Sequence, residues 1–410
     1  MKEGWTYKKL GEVCETLNGL WKGRKPPFVN VGVIRNANFT KDFTLRYDNV
    51  EYLDVEEKQY VKRKLQRGDL IIEKSGGSEK QPVGRAVLFD KENGEFSFSN
   101  FTSVLRVKND ILQSRFLYIY LLFIYKRGDT LKMQKATTGI HNIEFDKYLN
   151  IDIPILPFAQ QQRIVSHLDA AFAHIDALKV NADKQLAEAR QLFQAELAEC
   201  MRPKEGWEEM KFTEVCDIIT DFVAAGSFAD LRKNVVYNEA PDYAQLVRTT
   251  DLKHNFENKS FVYVSEHAFN YLWRVNLNEE SIILPNVGVN CGEVYYVNPN
   301  KLPYKCNVLG PNAILVRSHK YDNLFLSYLF KGKEMQTQLR HITSSMAQPK
   351  YNKTNLKNLM VSLPSLEIQR SIVSRLDALS ANIKKLEELQ RKTLAECDAL
   401  KQAMLREVFE

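Results

Sequence analysis

The sequence lacks the short motifs that mark the common catalytic sites. There is no GxGxxG or GxxxxGK(S/T) loop for a nucleotide, no HExxH pair for zinc and no GxSxG turn for a serine nucleophile. The Asn-Pro-Pro-Tyr type of motif, whose side chain grips an extruded adenine, is also missing, because Asn298-Pro299-Asn300 does not match it. We therefore predict a chain that is not an enzyme and that has no catalytic residue, metal or cofactor of its own.

Cysteines are few and scattered, and long apolar runs are absent. The cysteines form no CxxC pair and have no companion histidines at metal-ligand spacing, so we expect reduced thiols in a cytoplasmic protein. The most apolar stretch, Phe116 to Tyr125, is about half as long as a membrane span. The first residues lack the apolar run of a signal peptide. We expect no membrane partner. The cysteines are Cys14, Cys200, Cys216, Cys291, Cys306 and Cys397.

Neither sign of charge dominates. The formal net charge is +6 and the isoelectric point is near 8.7, which does not by itself establish binding to nucleic acid. Such binding needs a local concentration of cations. One candidate is the group Lys22, Arg24 and Lys25 beside Trp21. Another is the run from Lys58 to Arg67, for which a solvated face is an equally good interpretation.

An internal repeat organises the chain. The text Ile164-Val165-Ser166-x-Leu168-Asp169-Ala170 returns 208 positions later as Ile372-Val373-Ser374-x-Leu376-Asp377-Ala378. Lys2-Glu3-Gly4-Trp5 returns as Lys204-Glu205-Gly206-Trp207. Each half of the chain is therefore predicted to be one globular module followed by one long helix.

The two long helices are predicted to pair as an antiparallel coiled coil. Apolar residues step by three and four in both copies, and a helix roughly 60 Å long with one apolar stripe needs a partner. The predicted seam of the first helix is Leu168, Ala171, Ile175, Leu178, Ala182, Gln185, Ala189 and Leu192. That of the second is Leu376, Leu379, Ile383, Leu386, Gln390, Thr393, Cys397, Leu400 and Met404.

The fold class predicted for each module is α+β, and the repeat gives the whole chain a pseudo-twofold arrangement. Short β-rich runs alternate with turn residues, and in each module an apolar helix follows them, from Ser114 to about Tyr125 and from Asn323 to about Leu339. A strand from Tyr148 to Leu156 is predicted to lead into the first long helix. The predicted domains are residues 1–157, 158–201, 202–364 and 365–410. The other predicted strands are Phe28 to Ile34, Leu70 to Ile72, Ala86 to Phe89, Thr102 to Val107, Ala244 to Val247, Ser281 to Leu284, Val294 to Val297 and Ala313 to Val316.

Loops differ between the modules more than their frames do. Leu70 to Gly77 aligns with Ser281 to Gly288, and Thr137 to Asn142 aligns with Ser344 to Pro349. These loops offer cations, hydroxyls and amides suited to phosphates and base edges, although plain turns explain them too. The candidate DNA-binding residues of module one are Lys22, Arg24, Lys74, Ser75, Gly76, Gly77, Thr138, Gly139 and His141. Those of module two are Arg248, Thr249, Asn286, Asn290, Ser345, Gln348 and Lys350.

The text at the start of each long helix resembles that of the specificity subunits of type I restriction-modification enzymes. A Leu-Pro pair precedes a glutamine and Ile-Val-x-x-Leu-Asp, in Leu156 to Asp169 and in Leu363 to Asp377. Gly68 to Gly76 is similar to the family's reading-domain pattern, from which module two departs at Asn278 to Ser281.

The resemblance implies a non-catalytic subunit that reads a split, asymmetric target in double-stranded DNA. It further implies that two modification subunits dock on the helices and bring S-adenosylmethionine for adenine N6 methylation, with restriction subunits as further partners. The helix positions that it assigns to partner binding are Gln162, Arg163, Leu168, Gln369, Arg370 and Leu376.

Two alternative functions remain open at this point. Asp242, Asp251 and Lys253 have the spacing of a Mg²⁺-dependent nuclease site, in which two carboxylates hold the metal and a lysine assists the attacking water. The pattern is short and degenerate, so loop residues are the better interpretation. The other alternative is a structural coiled-coil adaptor with no sequence preference on DNA.

Overall fold

The computed structural model describes residues 4–21, 23–78, 81–108, 110–137, 140–344 and 348–410. The chain divides into two compact units, Met1–Asp183 with Gln390–Glu410, and Lys184–Leu389. Unit 1 contains the first module, the beginning of the first long helix and the end of the second. Unit 2 contains the second module and the remaining parts of both helices.

Unit 1 combines short strands, four short or medium helices and parts of the two long helices. Its strands are β1 (Thr6–Lys9), β2 (Cys14–Asn18), β3 (Phe28–Ile34), β4 (Glu51–Glu56), β5 (Leu70–Glu73), β6 (Ser75–Gly77), β7 (Ala86–Leu88), β8 (Phe96–Phe98), β9 (Thr102–Val107), β10 (Gln134–Thr137), β11 (Ile140–Ile143) and β12 (Asp152–Ile155). Its helices are α1 (Leu10–Val13), α2 (Glu57–Arg63), α3 (Ser114–Arg127), α4 (Phe145–Leu149) and the first part of α5 (Phe158–Cys200).

The central strand β5 is buried on both faces. It lies between β9 and β7 in a sheet of order β2-β9-β5-β7. Leu70 and Ile72 pack into a core with helix α3, whereas Ile71 packs into a second core shared with the sheet β4-β3-β8. Because successive side chains of a strand point to opposite faces, this one strand joins two cores.

Unit 2 has the same kinds of elements. Its strands are β13 (Glu208–Lys211), β14 (Ile218–Asp221), β15 (Ala244–Val247), β16 (Tyr263–Val264), β17 (Ser281–Pro285), β18 (Tyr295–Val297), β19 (Asn307–Leu309), β20 (Ala313–Arg317) and β21 (Met360–Leu363). Its helices are α6 (Phe212–Val215), α7 (Phe228–Asn234), α8 (Thr249–Lys253), α9 (Glu266–Tyr271), α10 (Asn323–Lys331), α11 (Lys333–Ile342), α12 (Lys353–Lys357) and the first part of α13 (Leu366–Phe409).

The two units share a frame. The sheet β14-β20-β17-β18 repeats β2-β9-β5-β7, the sheet β16-β15-β19 repeats β4-β3-β8, and the pair β13-β21 repeats β1-β12. Unit 1 has one more sheet, β10-β11-β6, and the described part of unit 2 has a single bridge between Val287 and Lys350 at the corresponding place. The units therefore differ where the chain leaves the central strand.

The two long helices run antiparallel within each unit, as the repeat predicted. In every ion pair that joins them, a position further along α5 meets a position earlier in α13. In unit 1 these pairs are Lys179 with Asp398 at 2.6 Å and Lys401 with Asp176 at 2.5 Å. In unit 2 they are Arg190 with Glu387 and Arg375 with Glu196, both at 2.7 Å.

The seam of the first helix differs from the predicted one at alternate positions. Leu168 and Ile175 are buried as expected, but the next seam position is four residues further instead of three. Lys179, whose side chain is 17% exposed, therefore lies where Leu178 was expected, and Leu186 is buried in place of Gln185. The predicted seam residues that are exposed are Leu178, Gln185, Leu192 and Leu400.

Two predicted elements near the long helices were wrong in extent. Tyr148 belongs to helix α4, and the following strand is only Asp152–Ile155. The helix predicted from Asn323 to about Leu339 is two helices, because Gly332 has an extended backbone between them.

Leu186 and Leu192 provide a matched test of the seam. Leu186 is 6% exposed and Leu192 is 61% exposed, and both lie on α5 in unit 2. We expect Leu186→Ala to lower the free energy of unfolding by roughly 2–5 kcal/mol, because it removes buried methyl groups and leaves a cavity. Leu192→Ala should change it by less than about 0.5 kcal/mol. Urea denaturation followed by circular dichroism measures both, and equal losses would contradict the observed seam.

Candidate nucleic-acid interface

The end of the central strand in unit 1 meets a segment some 65 residues later. Strand β6 pairs antiparallel with β11, so that Gly77 lies opposite His141 and Ser75 opposite Asn142. The backbone N–H of Ile143 donates to the carbonyl oxygen of Lys74 at 2.8 Å. The structure thus brings together five of the predicted residues, which are Lys74, Ser75, Gly76, Gly77 and His141.

The backbone conformation requires glycine at position 76, and lack of space requires it at position 77. Gly76 has a φ of +106°, in the left-handed region that disfavours side chains. A Cβ on Gly77 would lie 2.8 Å from Val83 and 2.9 Å from the carbonyl oxygen of Gln81. Contacts of these residues with DNA would therefore come from their backbone groups.

Lys74 supplies the positive charge of this segment. Its side chain is half-buried, and this burial lowers the pKa of the ammonium from its usual value. No acidic residue in the described part of the chain forms an ion pair with it. The charge is consequently available to a phosphate, whose proximity would favour the protonated form.

Asn36 was missed by the sequence analysis. Its side-chain amide donates to the carbonyl oxygen of Ser75 at 2.5 Å, so it joins the turn after β3 to strand β6. The amide oxygen of Asn36 and Nδ1 of His141 are buried and have no hydrogen-bond partner among the described residues. Buried polar atoms are normally hydrogen-bonded to protein or to ordered water, so each of these two atoms has capacity for a further partner.

Unit 2 repeats this junction with other side chains. The N–H of Tyr351 donates to the carbonyl oxygen of Asn286 at 3.1 Å, as Ile143 does to Lys74. The side-chain amide of Asn286 donates to the carbonyl oxygen of Tyr351 at 3.0 Å. Val287 bridges to Lys350, so Asn286 and Lys350 lie together as predicted residues of one loop pair.

These hydrogen bonds correct the predicted alignment of the loops by one residue. Lys74 corresponds to Asn286, and Gly76 corresponds to Gly288, which also has a positive φ of +86°. The reason is the direction of the strand side chains. Ile282 and Leu284 face the helix-packed core of unit 2, as Leu70 and Ile72 do in unit 1.

The pair Arg248 and Thr249 opens helix α8 directly after β15. The guanidinium of Arg248 donates to Asp251 at 2.8 and 3.0 Å and to the carbonyl oxygen of Ser260 at 2.8 Å. Asn290 accepts a hydrogen bond at 2.8 Å from Lys253 at the end of the same helix. The turn after β15 thereby connects to the loop after β17, as Asn36 connects the equivalent segments of unit 1.

The remaining predicted positions are less informative. Arg24 lies in the loop between β2 and β3, on a separate stretch of unit 1, and Gln348 is exposed beside Pro349. Lys22, Thr138, Gly139 and Ser345 lie outside the described residues.

The family model of the type I restriction modification DNA specificity domain matches residues 2–188 and again residues 204–396. The chain belongs to this family. It is therefore a specificity subunit, the non-catalytic subunit that recognises the DNA target and acts together with methyltransferase subunits.

In the described part of the chain, no helix is both long and apolar enough to cross a membrane.

Individual relatives are similar to this chain over its whole length. The specificity subunit of the type I restriction enzyme EcoKI from Escherichia coli K12 is 22% identical, over all of this chain and 89% of its own. That of StySPI from Salmonella potsdam is 23% identical over the same shares. A solved chain from a type I R-M system shares 19% identity with a TM-score of 0.75, covering 100% of this chain and 98% of its own. The HsdS subunit from Thermoanaerobacter tengcongensis shares 18% with a TM-score of 0.56, covering 100% and 97%. At these identities the two solved structures show the fold alone.

The geometry of this specificity subunit does not support the nuclease alternative. The carboxylate of Asp251 is fully buried and accepts hydrogen bonds from Arg248 and Asn258. Asp242 accepts from Asn238 at 2.6 Å, and Lys253 pairs with Glu293 at 2.7 Å. Within the described ranges, no group of three or more His, Cys, Asp or Glu side chains has the arrangement to hold a metal ion.

Two buried glutamines explain the family-like text at the start of each long helix. Gln161 donates to the carbonyl oxygens of Ile111 and Leu156 and accepts from the N–H of Gln113. Gln369 donates to the carbonyl oxygen of Pro364 at 2.8 Å. It also accepts from the N–H of Asp322 at 3.1 Å. Each glutamine thus ties a long helix to the loop before the apolar helix of its own unit.

This burial corrects three of the expected partner contacts. Gln369, Leu168 and Leu376 are fully buried inside their own unit, where an outside subunit has no access to them. Gln162, Arg163 and Arg370 are exposed, and for these three partner binding stays a prediction.

Asp251→Asn distinguishes a structural carboxylate from a metal ligand. We expect it to lower the free energy of unfolding by about 1.5–3 kcal/mol, because the hydrogen bonds from the Arg248 guanidinium lose their charged acceptor. Asp242→Asn, at the other predicted metal ligand, should cost less. Neither the wild type nor either variant should cut DNA when Mg²⁺ is added. Mg²⁺-dependent cutting that Asp251→Asn abolishes would contradict this assignment.

Proposed function

We propose that this specificity subunit reads a split, asymmetric sequence in double-stranded DNA, one half with the loops of unit 1 and the other with those of unit 2. Two methyltransferase subunits dock on the exposed faces of the long helices. They bring S-adenosylmethionine and methylate adenine at N6, while this chain binds no cofactor itself. Restriction subunits join the same complex in the cytoplasm.

The observation that carries the proposal is a shared frame with different groups at equivalent positions. The equivalent hydrogen bonds place Lys74 in one unit where Asn286 lies in the other, followed by Ser75 and Val287. A frame that read one sequence twice would present the same groups twice. Lys74 and Ser75 offer a cation and a hydroxyl, which suit phosphates and base edges. Asn286 and Val287 offer an amide and an apolar side chain, which suit base edges of a different kind.

The helices support a gap of limited size between the half-sites. Helices of 43 and 44 residues are roughly 60 Å long, which corresponds to at most about two turns of duplex. A pair of helices of this kind would keep the reading loops of the two units at a fixed separation along the DNA.

The division of labour follows from the cost of methylating a stacked base. The target adenine must leave the duplex, which costs a few kcal/mol. A separate subunit that holds the duplex through phosphate and base contacts leaves the partner's pocket free to accept the base.

Methylation mapping tests the proposal directly. The chain would be expressed with its modification subunits, and N6-methyladenine positions would be read across a genome. We expect Lys74→Ala to relax one half of a split motif and Asn286→Ala to relax the other. Removing equal lengths from both long helices should change the gap and preserve both halves.

The exposed residues Lys8 and Asn300, which lie outside the loops, provide matched alanine controls that should leave the motif unchanged. An unsplit motif, or the same methylation in the absence of this chain, would overturn the proposal.

The salt dependence of binding tests the role of Lys74 separately. If Lys74 neutralises one phosphate, Lys74→Ala should reduce the slope of log Kd against log salt concentration by about 0.9. Lys74→Arg keeps the charge and should keep the slope. An unchanged slope with relaxed sequence preference would instead assign Lys74 to a base edge.

A further inference from the structure

One valine in unit 2 has no structural reason to be apolar. Val289 is 96% exposed, the highest value among the exposed large hydrophobic side chains of the described residues. It lies in the loop after the central strand β17, three residues beyond Asn286. A single exposed aliphatic residue is unremarkable on an ordinary surface, but this one projects from the segment that carries the candidate interface.

The loop holds Val289 in a fixed position. The N–H of Cys291 donates to the carbonyl oxygen of Gly288 at 3.0 Å, which closes a tight turn with Val289 and Asn290 at its centre. Gly288 is tied to the carbonyl oxygen of Pro349 at 2.9 Å, and the side chain of Asn290 is tied to Lys253 at 2.8 Å. The turn is therefore anchored on both sides of the valine.

The residue type fits recognition better than it fits a turn. Gly, Pro, Asn, Asp and Ser dominate the centre of turns, whereas Val is β-branched and stiff at χ1. A stiff side chain loses little rotamer entropy when it meets a ligand. Unit 1 has Gly77 at the equivalent position, where Val83 leaves no room for a side chain, so this projecting group belongs to unit 2 alone.

We propose that Val289 is a specificity-determining residue that contacts the 5-methyl group of a thymine in the half-site read by unit 2. In the major groove, the thymine methyl is the apolar group that distinguishes an A·T pair, and small aliphatic side chains pack against it. The neighbouring amides of Asn286 and Asn290 supply polar contacts to adjacent base edges. This inference rests on the proposed function, because it takes unit 2 as the reader of one half-site.

The test couples one methyl group on the DNA to one side chain on the protein. The half-sites are first mapped with the assembled methyltransferase complex. Each thymine is then replaced by deoxyuridine in turn, which removes only the 5-methyl group, and binding of the complex is measured by competition. For the wild type we expect about a fourfold loss at one thymine of the unit 2 half-site, as for the exposure of one buried methyl group.

The same replacement should have almost no effect on DNA binding by a complex that contains the Val289→Ala variant. Val289→Ile should retain the loss, and Val236→Ala, at a side chain 64% exposed elsewhere in unit 2, should behave as the wild type. Replacement of a thymine in the unit 1 half-site should change binding by the same factor in the wild type and in all variants.

Several results would overturn the inference. They are a unit 2 half-site without thymine, a methyl effect that persists unchanged in Val289→Ala, and a variant that fails to assemble with the methyltransferase subunits while its DNA contacts stay normal. An unsplit target would instead refute the proposed function. A split target without coupling between Val289 and a thymine methyl would refute this inference alone.

Discussion

The central strand of each unit is buried on both faces, and the position of the candidate interface depends on that burial. Leu70 and Ile72 face one core while Ile71 faces another, and Ile282, Ile283 and Leu284 are distributed in the same way. A slip of one residue would turn every one of these side chains to the wrong face. The residue that leaves the strand is therefore fixed by packing, and so is the carbonyl that accepts the hydrogen bond from Ile143 or Tyr351. The loop beyond can change its side chains without disturbing the frame.

The sequence could predict the frame because its signals are local or repeated. The duplicated helix text predicted two modules and two antiparallel helices, and β-rich runs predicted nine of the 21 strands that the described residues form, one of them too long. The junction of β6 with β11 was not predicted, since pairing across some 65 residues has no local signature. The predicted alignment of the two loops was one residue off because it paired Leu70, the first residue of β5, with Ser281, the first residue of β17. The packing instead makes Leu70 equivalent to Ile282. Asn36 escaped notice because an asparagine in a turn is usually explained by the turn itself.

The long helices show how a polar residue can be structural. Gln161 and Gln369 resemble exposed helix residues in the sequence, but each satisfies backbone groups where a long helix leaves its module. Leaving those groups unpaired in a buried position would cost about 1–3 kcal/mol each. The sequence pattern was also insufficient for the seam of the first long helix. There a step of four residues instead of three put Lys179 beside Asp398 and left Leu178 exposed. Spacing alone does not distinguish these two phases, because both have the same period.

The two units also differ in what kind of contact their loops can make. In unit 1 the loop pairs as a strand with β11, and a side chain at Gly77 is excluded by Val83. The polar groups of this segment in unit 1 include the ammonium of Lys74 and backbone groups, and the unpaired polar atoms of Asn36 and His141 are buried. In the described part of unit 2 the corresponding chain makes a single bridge and then a tight turn, from which Val289 projects. One frame therefore presents Lys74 with backbone groups in one unit, and in the other two amides, the aliphatic Val289 and Lys350. Because phosphates are alike in every sequence and base edges are not, this difference favours unequal half-sites over a palindrome.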